Sequence, residues 1–214
     1  MTAPDLTRRH LGRGLFAHPL GVNCGASGLS QGTESETDDG RFLDGLGRAV
    51  ELGANLLDTA DSYGAGRAER MLGRLLRGYP NNGLLVSSKV GRIRGSAPHA
   101  YAGRHIHHQF QQTQESLYVE ELDLYVPQDR YLGTAIDQMQ TLRELGAIRA
   151  IGMRGPYTHY GAAPEERTAC AQRFLYLFCL IKPNVVWTRF TASRPPSSSK
   201  ARACSTSQPG TGPA

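Results

Sequence analysis

Three residues whose side chains can carry out acid–base chemistry lie at or just beyond the ends of two predicted strands. Asp58 ends one strand, Tyr63 follows it by five positions, and Lys89 ends the next strand along the chain. An ammonium group beside a phenol favours the phenolate, and a carboxylate beside the ammonium fixes its position. The three residues are therefore candidates for a site in which a tyrosine gives up and takes back a proton.

The composition of the chain also draws attention to Lys89. Of the 24 basic residues, 21 are arginines, and Lys89 is the only lysine among the first 181 residues. Arginine does not readily lose its proton, whereas lysine is a compact ammonium that responds to its surroundings. We therefore interpret Lys89 as a candidate for a chemical role. The alternative is that all three residues are structural. Asp58 would then be a capping residue, Tyr63 would lie on the surface, and Lys89 would form an ordinary ion pair.

The elements that must position these residues alternate between strands and helices. Apolar runs predict the strands, and apolar residues at helical spacing predict the helices between them. This alternation is typical of βαβ units with a parallel sheet, whose reactive groups lie at the carboxyl ends of the strands. The predicted strands span 20–24, 55–58, 84–89, 122–126, 148–153 and 184–187, and the helices begin near 37, 67, 105 and 134 and within 164–177.

The positive charge of the chain is concentrated in its last quarter. Its 214 residues suit a single core, and its net charge is +5. Residues 167–214 carry seven basic residues and no acidic one, so the positive charge belongs to the last quarter. Residues 191–214 contain no Leu, Ile, Val, Phe, Met, Trp or Tyr, and we expect them to be a disordered tail after a domain of residues 1–190. The tail lacks interleaved aromatic residues, which argues against a nucleic-acid partner.

Other features argue against a membrane protein, a disulfide framework and a metal site. The longest apolar run, Phe174–Ile181, is too short to cross a bilayer, and we expect it to be a core helix or strand. The four cysteines have no short paired spacing, and the cluster of His105, His107 and His108 has no acidic or cysteine partner at helical spacing. The chain opens without a charged-then-apolar leader. We therefore expect a cytoplasmic protein with reduced thiols.

Four segments, in this order and at these intervals, resemble the aldo-keto reductase family. The most specific is the Asp-Thr-Ala-x-x-Tyr-Gly block that runs from Asp58 to Gly64. The resemblance covers roughly residues 18–154 and implies a (β/α)8 barrel that binds NADPH in an extended conformation, without a Rossmann domain. The segments are Leu52–Gly73, Val86–Gly91, Glu121–Tyr125 and Gly146–Gly152.

The resemblance also implies roles for individual residues. Tyr63 is the general acid that protonates the oxygen of a small carbonyl substrate as hydride arrives from the nicotinamide. Lys89 supports Tyr63, and Asp58 pairs with Lys89. The implied cofactor-binding residues are Cys24, Asp58 and Arg154.

The sequence departs from the family pattern at three places. The histidine expected after the fourth strand is missing, so either Gln128 stands there and orients the substrate, or a few residues are deleted before Pro127. Met153 and Arg154 follow Gly152, where small polar residues are usual. The last two barrel strands have no counterpart, and a complete barrel needs about 250 residues.

We therefore expect an incomplete barrel with about six of eight βα units, from a truncated or frameshifted bacterial member of the family. Translation of the other two reading frames past residue 187 tests the frameshift. Two functions stay open: an NADPH-dependent carbonyl reductase, and a catalytically impaired pseudoenzyme or non-functional fragment.

Overall fold

The computed structural model describes residues 6–25, 36–79, 83–93, 102–127, 133–155 and 163–188. The chain divides into two compact units. The first comprises Met1–Gly155 and Pro183–Trp187, and the second comprises Pro156–Lys182 and Thr188–Ala214. Gln128, the predicted boundary at residue 190 and the predicted disordered tail of residues 191–214 lie outside the described residues, so these predictions stay untested.

Strands and helices alternate through the chain after an amino-terminal hairpin. The hairpin strands are β1 (Arg9–Gly12) and β2 (Leu15–Ala17). The other strands are β3 (Val22–Asn23), β4 (Leu56–Asp58), β5 (Leu85–Val90), β6 (Leu122–Pro127), β7 (Ile148–Arg154) and β8 (Val185–Trp187). The helices are α1 (Glu36–Glu51), α2 (Arg67–Gly78), α3 (Gly103–Leu117), α4 (Gly133–Glu144) and α5 (Pro164–Ile181).

Strands β3 to β8 form one parallel sheet in which every strand pairs with the next one along the chain. This sequential order is that of a singly wound barrel, whereas a doubly wound sheet reverses its strand order. The sheet is therefore a curled, incomplete (β/α) barrel of six strands, which confirms the predicted fold class. The predicted strands and helices are also confirmed, with bounds that differ by a few residues.

Burial explains why the central strands could be recognised from their apolar runs. All six residues of β5 are buried, as expected for a parallel strand that is covered on both faces. Helix α2 instead buries one face, which includes Ala68, Met71, Leu72 and Leu75. The helix follows Gly66, whose φ of 82° lies in the left-handed region that favours glycine, so the Gly64–Gly66 segment forms the turn into α2.

The amino-terminal hairpin was not predicted from the sequence, and it contributes to the core of the first unit. Its buried residues Leu15 and Ala17 belong to a cluster with sheet residues from four strands. The buried Asn55 side chain connects it to the sheet by accepting a hydrogen bond from the backbone N–H of His18 and donating to the carbonyl of Phe16. The sheet residues of the cluster are Leu56, Leu85, Leu124, Val126 and Ala150.

The second unit contains one described helix, α5, and here the expectation of a core segment is wrong. The run Phe174–Ile181 is helical, but Tyr176 is 69% exposed and Ile181 is its only buried residue. The exposed apolar residues of this helix are spread around its circumference rather than gathered on one face that a neighbouring element could cover; they are Leu175, Tyr176, Phe178 and Leu180. Among the described residues, no helix is long and apolar enough to span a bilayer.

Candidate active site

The carboxyl ends of three neighbouring strands bring the central site residues together. In the parallel register, Asn23 of β3 lies beside Asp58 of β4, which lies beside Ser87 of β5. Ser87 and Lys89 are two positions apart and therefore point to the same side of their strand. This register places the carboxylate of Asp58 and the ammonium of Lys89 on one side of the sheet.

Asp58 and Lys89 form a buried ion pair. The Nζ atom of Lys89 lies 2.5 Å from Oδ2 of Asp58 and donates a second hydrogen bond, of 2.7 Å, to the carbonyl oxygen of Thr59. The side-chain amide of Asn23 also donates to Oδ2 of Asp58, at 3.1 Å. The side chains of Lys89 and Asp58 are only 5% and 8% exposed, so the ammonium is held firmly in one position.

Tyr63 lies beside this ion pair. The ammonium of Lys89 is 4.9 Å from the centre of the Tyr63 ring, a distance at which a cation is attracted to an aromatic face. The backbone N–H of Tyr63 donates to the carbonyl of Ala60, which fixes the turn after β4. Because Tyr63 is only half-buried, its ring combines contact with a buried cation and access to solvent. This combination suits a residue that exchanges a proton with a bound molecule.

The electrostatics around Asp58 combine two opposing effects. Burial raises the pKa of Asp58, and the charge of Lys89 opposes that rise. The same burial, together with the charge of Asp58, raises the pKa of the Cys24 thiol to about 12. Cys24 is fully buried at the end of β3, where its backbone N–H donates to the carbonyl of Asp58. Its side chain therefore stays a neutral thiol.

Arg154 ends β7 at the same edge of the sheet as the ion pair. Its charge is among those that lower the pKa of Asp58. In the sheet register it lies beside Trp187 of β8, and the backbone N–H of Gly155 donates to the carbonyl of Trp187. The structure thus brings Asp58, Tyr63, Lys89, Cys24 and Arg154 to one edge of the sheet.

Two acidic residues that the sequence analysis did not single out are also buried next to the site. Asp61 is 5% exposed, and its backbone N–H donates to the carbonyl of Lys89. Glu69 of α2 is 3% exposed and accepts hydrogen bonds from the hydroxyls of Ser88 and Thr113. A signal was available in the sequence, because Glu69 lies one position from Ala68 and three from Leu72, on the apolar face of its helix.

The three histidines of α3 form no metal cluster with other described residues. The ring of His105 makes a 2.6 Å hydrogen bond with the carbonyl oxygen of Ile93, and the ring of His107 makes one of 2.8 Å with the side-chain oxygen of Gln138. In the described ranges, no group of three acidic, histidine or cysteine side chains is arranged to hold a metal ion.

A comparison with known families decides the assignment. The model of the aldo/keto reductase family matches residues 22–160, which is more than half of the chain. The chain belongs to the aldo-keto reductase family. The match includes β3 to β7, and with them every residue of the site described above except Trp187.

Curated relatives of this aldo-keto reductase are considerably longer than the matched part. The L-galactose dehydrogenase of Arabidopsis thaliana is 26% identical over 151 residues, which are 66% of this chain and 46% of that protein. An uncharacterized oxidoreductase of Schizosaccharomyces pombe is 29% identical over 112 residues, 50% of this chain and 35% of that protein. The chain thus spans less than half the length of either relative.

Solved structures of aldo-keto reductases share the fold. A structure from Pseudomonas aeruginosa assigned to this family is 30% identical, with a TM-score of 0.60 over 71% of this chain and 61% of that one. The holo form of an aldo-keto reductase from Bacillus halodurans is 23% identical, with a TM-score of 0.61 over 86% and 66%. An enzyme of the same family from Klebsiella pneumoniae, in complex with NADPH, is 21% identical, with a TM-score of 0.54 over 74% and 50%.

Proposed function

We propose that this aldo-keto reductase reduces the carbonyl group of a small aldehyde or ketone to an alcohol. The observation that carries the proposal is the buried pair of Lys89 and Asp58 beside the half-buried ring of Tyr63. A phenol that is reachable from solvent and backed by a fixed ammonium is suited to give a proton to a carbonyl oxygen. NADPH, when bound, supplies the hydride for this reaction.

In this proposal Lys89 and Asp58 act through contacts that are already in place. Tyr63 donates its hydroxyl proton to the carbonyl oxygen and becomes a phenolate. The ammonium of Lys89 stabilises that negative charge, which develops as the proton leaves. Asp58 holds the ammonium in position, assisted by Asn23, and keeps it from turning away from the ring. We assign the orientation of the substrate to Gln128, whose amide can donate a hydrogen bond to a carbonyl but cannot carry charge.

The residues at this edge of the sheet fit the nicotinamide cofactor that we propose. Arg154 provides a cation, Asp58 and the neutral thiol of Cys24 provide polar groups, and Trp187 adds an aromatic ring beside Arg154. The Klebsiella relative in complex with NADPH supports this choice of cofactor. We propose that the protein acts in the cytoplasm, where its cysteines stay reduced.

A second candidate is a catalytically impaired member of the family, and a specific observation favours it. No histidine directly follows β6 in the sequence, at the position where the resemblance to the family leads us to expect one. Such a chain would bind a partner or cofactor without turnover, or would be a non-functional fragment.

The binding of NADPH separates the two candidates at the first step. Trp187 is the only tryptophan of the chain and lies beside Arg154, so its fluorescence reports on this edge of the sheet. We expect saturable quenching at roughly tens of micromolar NADPH. Arg154→Met should weaken it, whereas Arg48→Met, which removes an exposed arginine of α1, should not. The absence of saturable quenching would contradict the reductase proposal.

Substitution of the tyrosine then tests the chemistry. Tyr63→Phe removes the proton that we propose is donated, and it should abolish carbonyl reduction while the quenching by NADPH is preserved. Tyr176→Phe, which removes an exposed hydroxyl from α5, is the matched control. Unchanged turnover in Tyr63→Phe would refute the role of Tyr63, and binding without turnover in the wild-type chain would favour the impaired enzyme.

A further inference from the structure

More negative than positive groups are buried around the site. Lys89 is 4% exposed, and the three carboxyl groups of Asp58, Asp61 and Glu69 are 6%, 5% and 3% exposed. If all three carboxyls were ionised, they would leave two buried negative charges in excess of this ammonium. An unpaired charge inside a protein is so costly that the group takes up a proton instead. The site therefore has a reason to hold at least one extra proton.

The contacts indicate that Asp58 does not hold it. Oδ2 of Asp58 accepts hydrogen bonds from both Lys89 and Asn23, and each of these bonds stabilises the ionised carboxylate. The excess negative charge therefore falls on Asp61 and Glu69, which have no direct bond to the ammonium.

Between these two carboxyls, Glu69 is the better stabilised as an anion. The hydroxyls of Ser88 and Thr113 both donate to its Oε1 atom, over 2.6 Å and 3.0 Å. The donors near the carboxyl oxygens of Asp61 are the backbone N–H and the hydroxyl of the adjacent Ser62, and neither makes a hydrogen bond of normal length and angle. Burial and the negative charge of Glu69 raise the pKa of Asp61 to about 7, against the opposing effects of Ser62 and Lys89.

The groups that face the two carboxyls come from each element packed around them. Lys89 acts on both from β5, and Arg70 acts on Glu69 from α2. Tyr125 faces both from β6, where burial and then the two carboxyls raise its own pKa well above the usual range. Lys89 is thus the cation that acts on Asp61, and Tyr125 stays a neutral phenol.

We propose that Asp61 is a positioning residue that holds one exchangeable proton behind Lys89, with the negative charge of Glu69 favouring that proton, so that the ammonium keeps its full effect on Asp58 and Tyr63. The part of this inference that concerns catalysis rests on the proposed function. Loss of the proton places a third anion near Lys89 and only two residues from Tyr63. That anion disfavours the phenolate that forms as Tyr63 gives its proton to the substrate. Reduction therefore slows when the proton of Asp61 is lost.

Infrared spectroscopy of the folded chain, without cofactor, tests whether the proton is present. We expect the carbonyl stretch of a protonated carboxyl group at pH 6, with loss of this band by about pH 8. The band should be absent in Asp61→Asn and retained in Asp44→Asn, which alters an exposed carboxyl. In Glu69→Gln the band should disappear at a lower pH, because the neighbouring negative charge is gone. A wild-type spectrum without the band at pH 6 would overturn the proposal.

The pH profile of carbonyl reduction tests the effect on Tyr63. For the wild-type chain, kcat/KM should fall about tenfold between pH 6 and pH 8, as expected for one ionisation near neutrality. In Asp61→Asn the fall should disappear while KM for NADPH stays the same, a result that a merely structural role would not produce. An identical fall in wild type and Asp61→Asn would overturn the positioning role.

The two experiments keep this inference distinguishable from the proposed function. The infrared band is measured without NADPH or substrate. Its absence therefore counts against a proton on Asp61, whether or not the chain reduces carbonyl compounds. A failure of NADPH to quench Trp187 counts against the proposed function, while the band still decides whether the proton is held.

Discussion

The Nζ atom of Lys89 lies 2.5 Å from Oδ2 of Asp58, although the two residues are 31 positions apart in the sequence. Their meeting follows from strand register. Asp58 lies beside Ser87 in the parallel pairing of β4 and β5, and Lys89 is two positions further along the same strand. Because both strands end at this edge of the sheet, the backbone alone places the two residues close enough to pair.

The coupling between Asp58 and Lys89 can be measured by a double-mutant cycle. We expect Asp58→Asn to lower the free energy of unfolding by about 3–5 kcal/mol, because it leaves a buried ammonium without its carboxylate. Lys89→Met should lower the free energy of unfolding by a similar amount, because it leaves a buried carboxylate without its ammonium. The double variant should be more stable than the sum of the single costs implies, since it leaves neither charge unpaired. Urea unfolding of the four proteins gives the coupling, and strictly additive losses would contradict it.

A second prediction concerns the close approach of Gly25 to Tyr63. A Cβ atom on Gly25 would lie 2.6 Å from Cζ of the Tyr63 ring, much closer than carbon atoms approach one another. Gly25→Ala should therefore displace the ring, reduce the rate of carbonyl reduction and cost about 1–3 kcal/mol of stability.

The matched control for Gly25→Ala is Gly45→Ala. Gly45 lies inside α1, and a Cβ atom there would meet nothing within 4 Å. This change should raise the free energy of unfolding by about 0.5–1 kcal/mol, because alanine favours the helix. Thermal unfolding measures the stability of the two variants, and an assay of carbonyl reduction measures their activity. Equal activity of the two variants would show that the position of the Tyr63 ring does not limit the reaction.

The sheet and the ion pair could be predicted from the sequence because the relevant signals are local. Short apolar runs such as residues 84–86, where β5 begins, show where strands lie, and the end of each strand shows which polar residue comes to the edge. The parallel arrangement then places Asp58 and Lys89 together without any knowledge of distances. Tyr63 follows Asp58 by only five positions, and the turn after β4, in which its backbone N–H donates to the carbonyl of Ala60, keeps it close to Lys89.

The amino-terminal hairpin and the buried acids could not be predicted by the same means. Leu15 and Ala17 belong to an apolar run of only three residues, too short to predict a core strand, and only the distant sheet explains why they are buried. Asn55 appears as an ordinary strand residue, although its side chain connects the hairpin to the sheet. The burial of Asp61 depends on how α2 and β5 pack, which is tertiary information, whereas Glu69 lies on the apolar face of α2, a signal that the sequence does contain.

The thiol of Cys24 should resist chemical modification in the folded protein. Its burial and its pKa of about 12 leave almost no thiolate at neutral pH, and the thiolate is the reactive form. Iodoacetamide should therefore modify the exposed Cys179 of α5 well before Cys24, as read by peptide mass mapping. In urea both should react at similar rates. Rapid modification of Cys24 in the native protein would contradict its buried position.

The free energy of unfolding should depend on pH through Asp61. Its pKa is raised from 3.8 to about 7 in the folded chain, so folding takes up a proton at any pH between those values. Stability must then fall as the pH rises from about 4 to 7 and level off above 7, by roughly 4 kcal/mol in total at 1.4 kcal/mol per pH unit.

Asp61→Asn removes this ionisation while keeping the shape of the side chain. The difference in stability between the variant and the wild type should therefore move steadily in favour of the variant from pH 4 to pH 7 and then stay constant. Asp44→Asn, at an exposed position, should follow the wild-type curve. Urea unfolding at a series of pH values measures all three curves. Parallel curves for Asp61→Asn and the wild type would contradict the prediction, because they would mean that the pKa of Asp61 does not change when the chain folds.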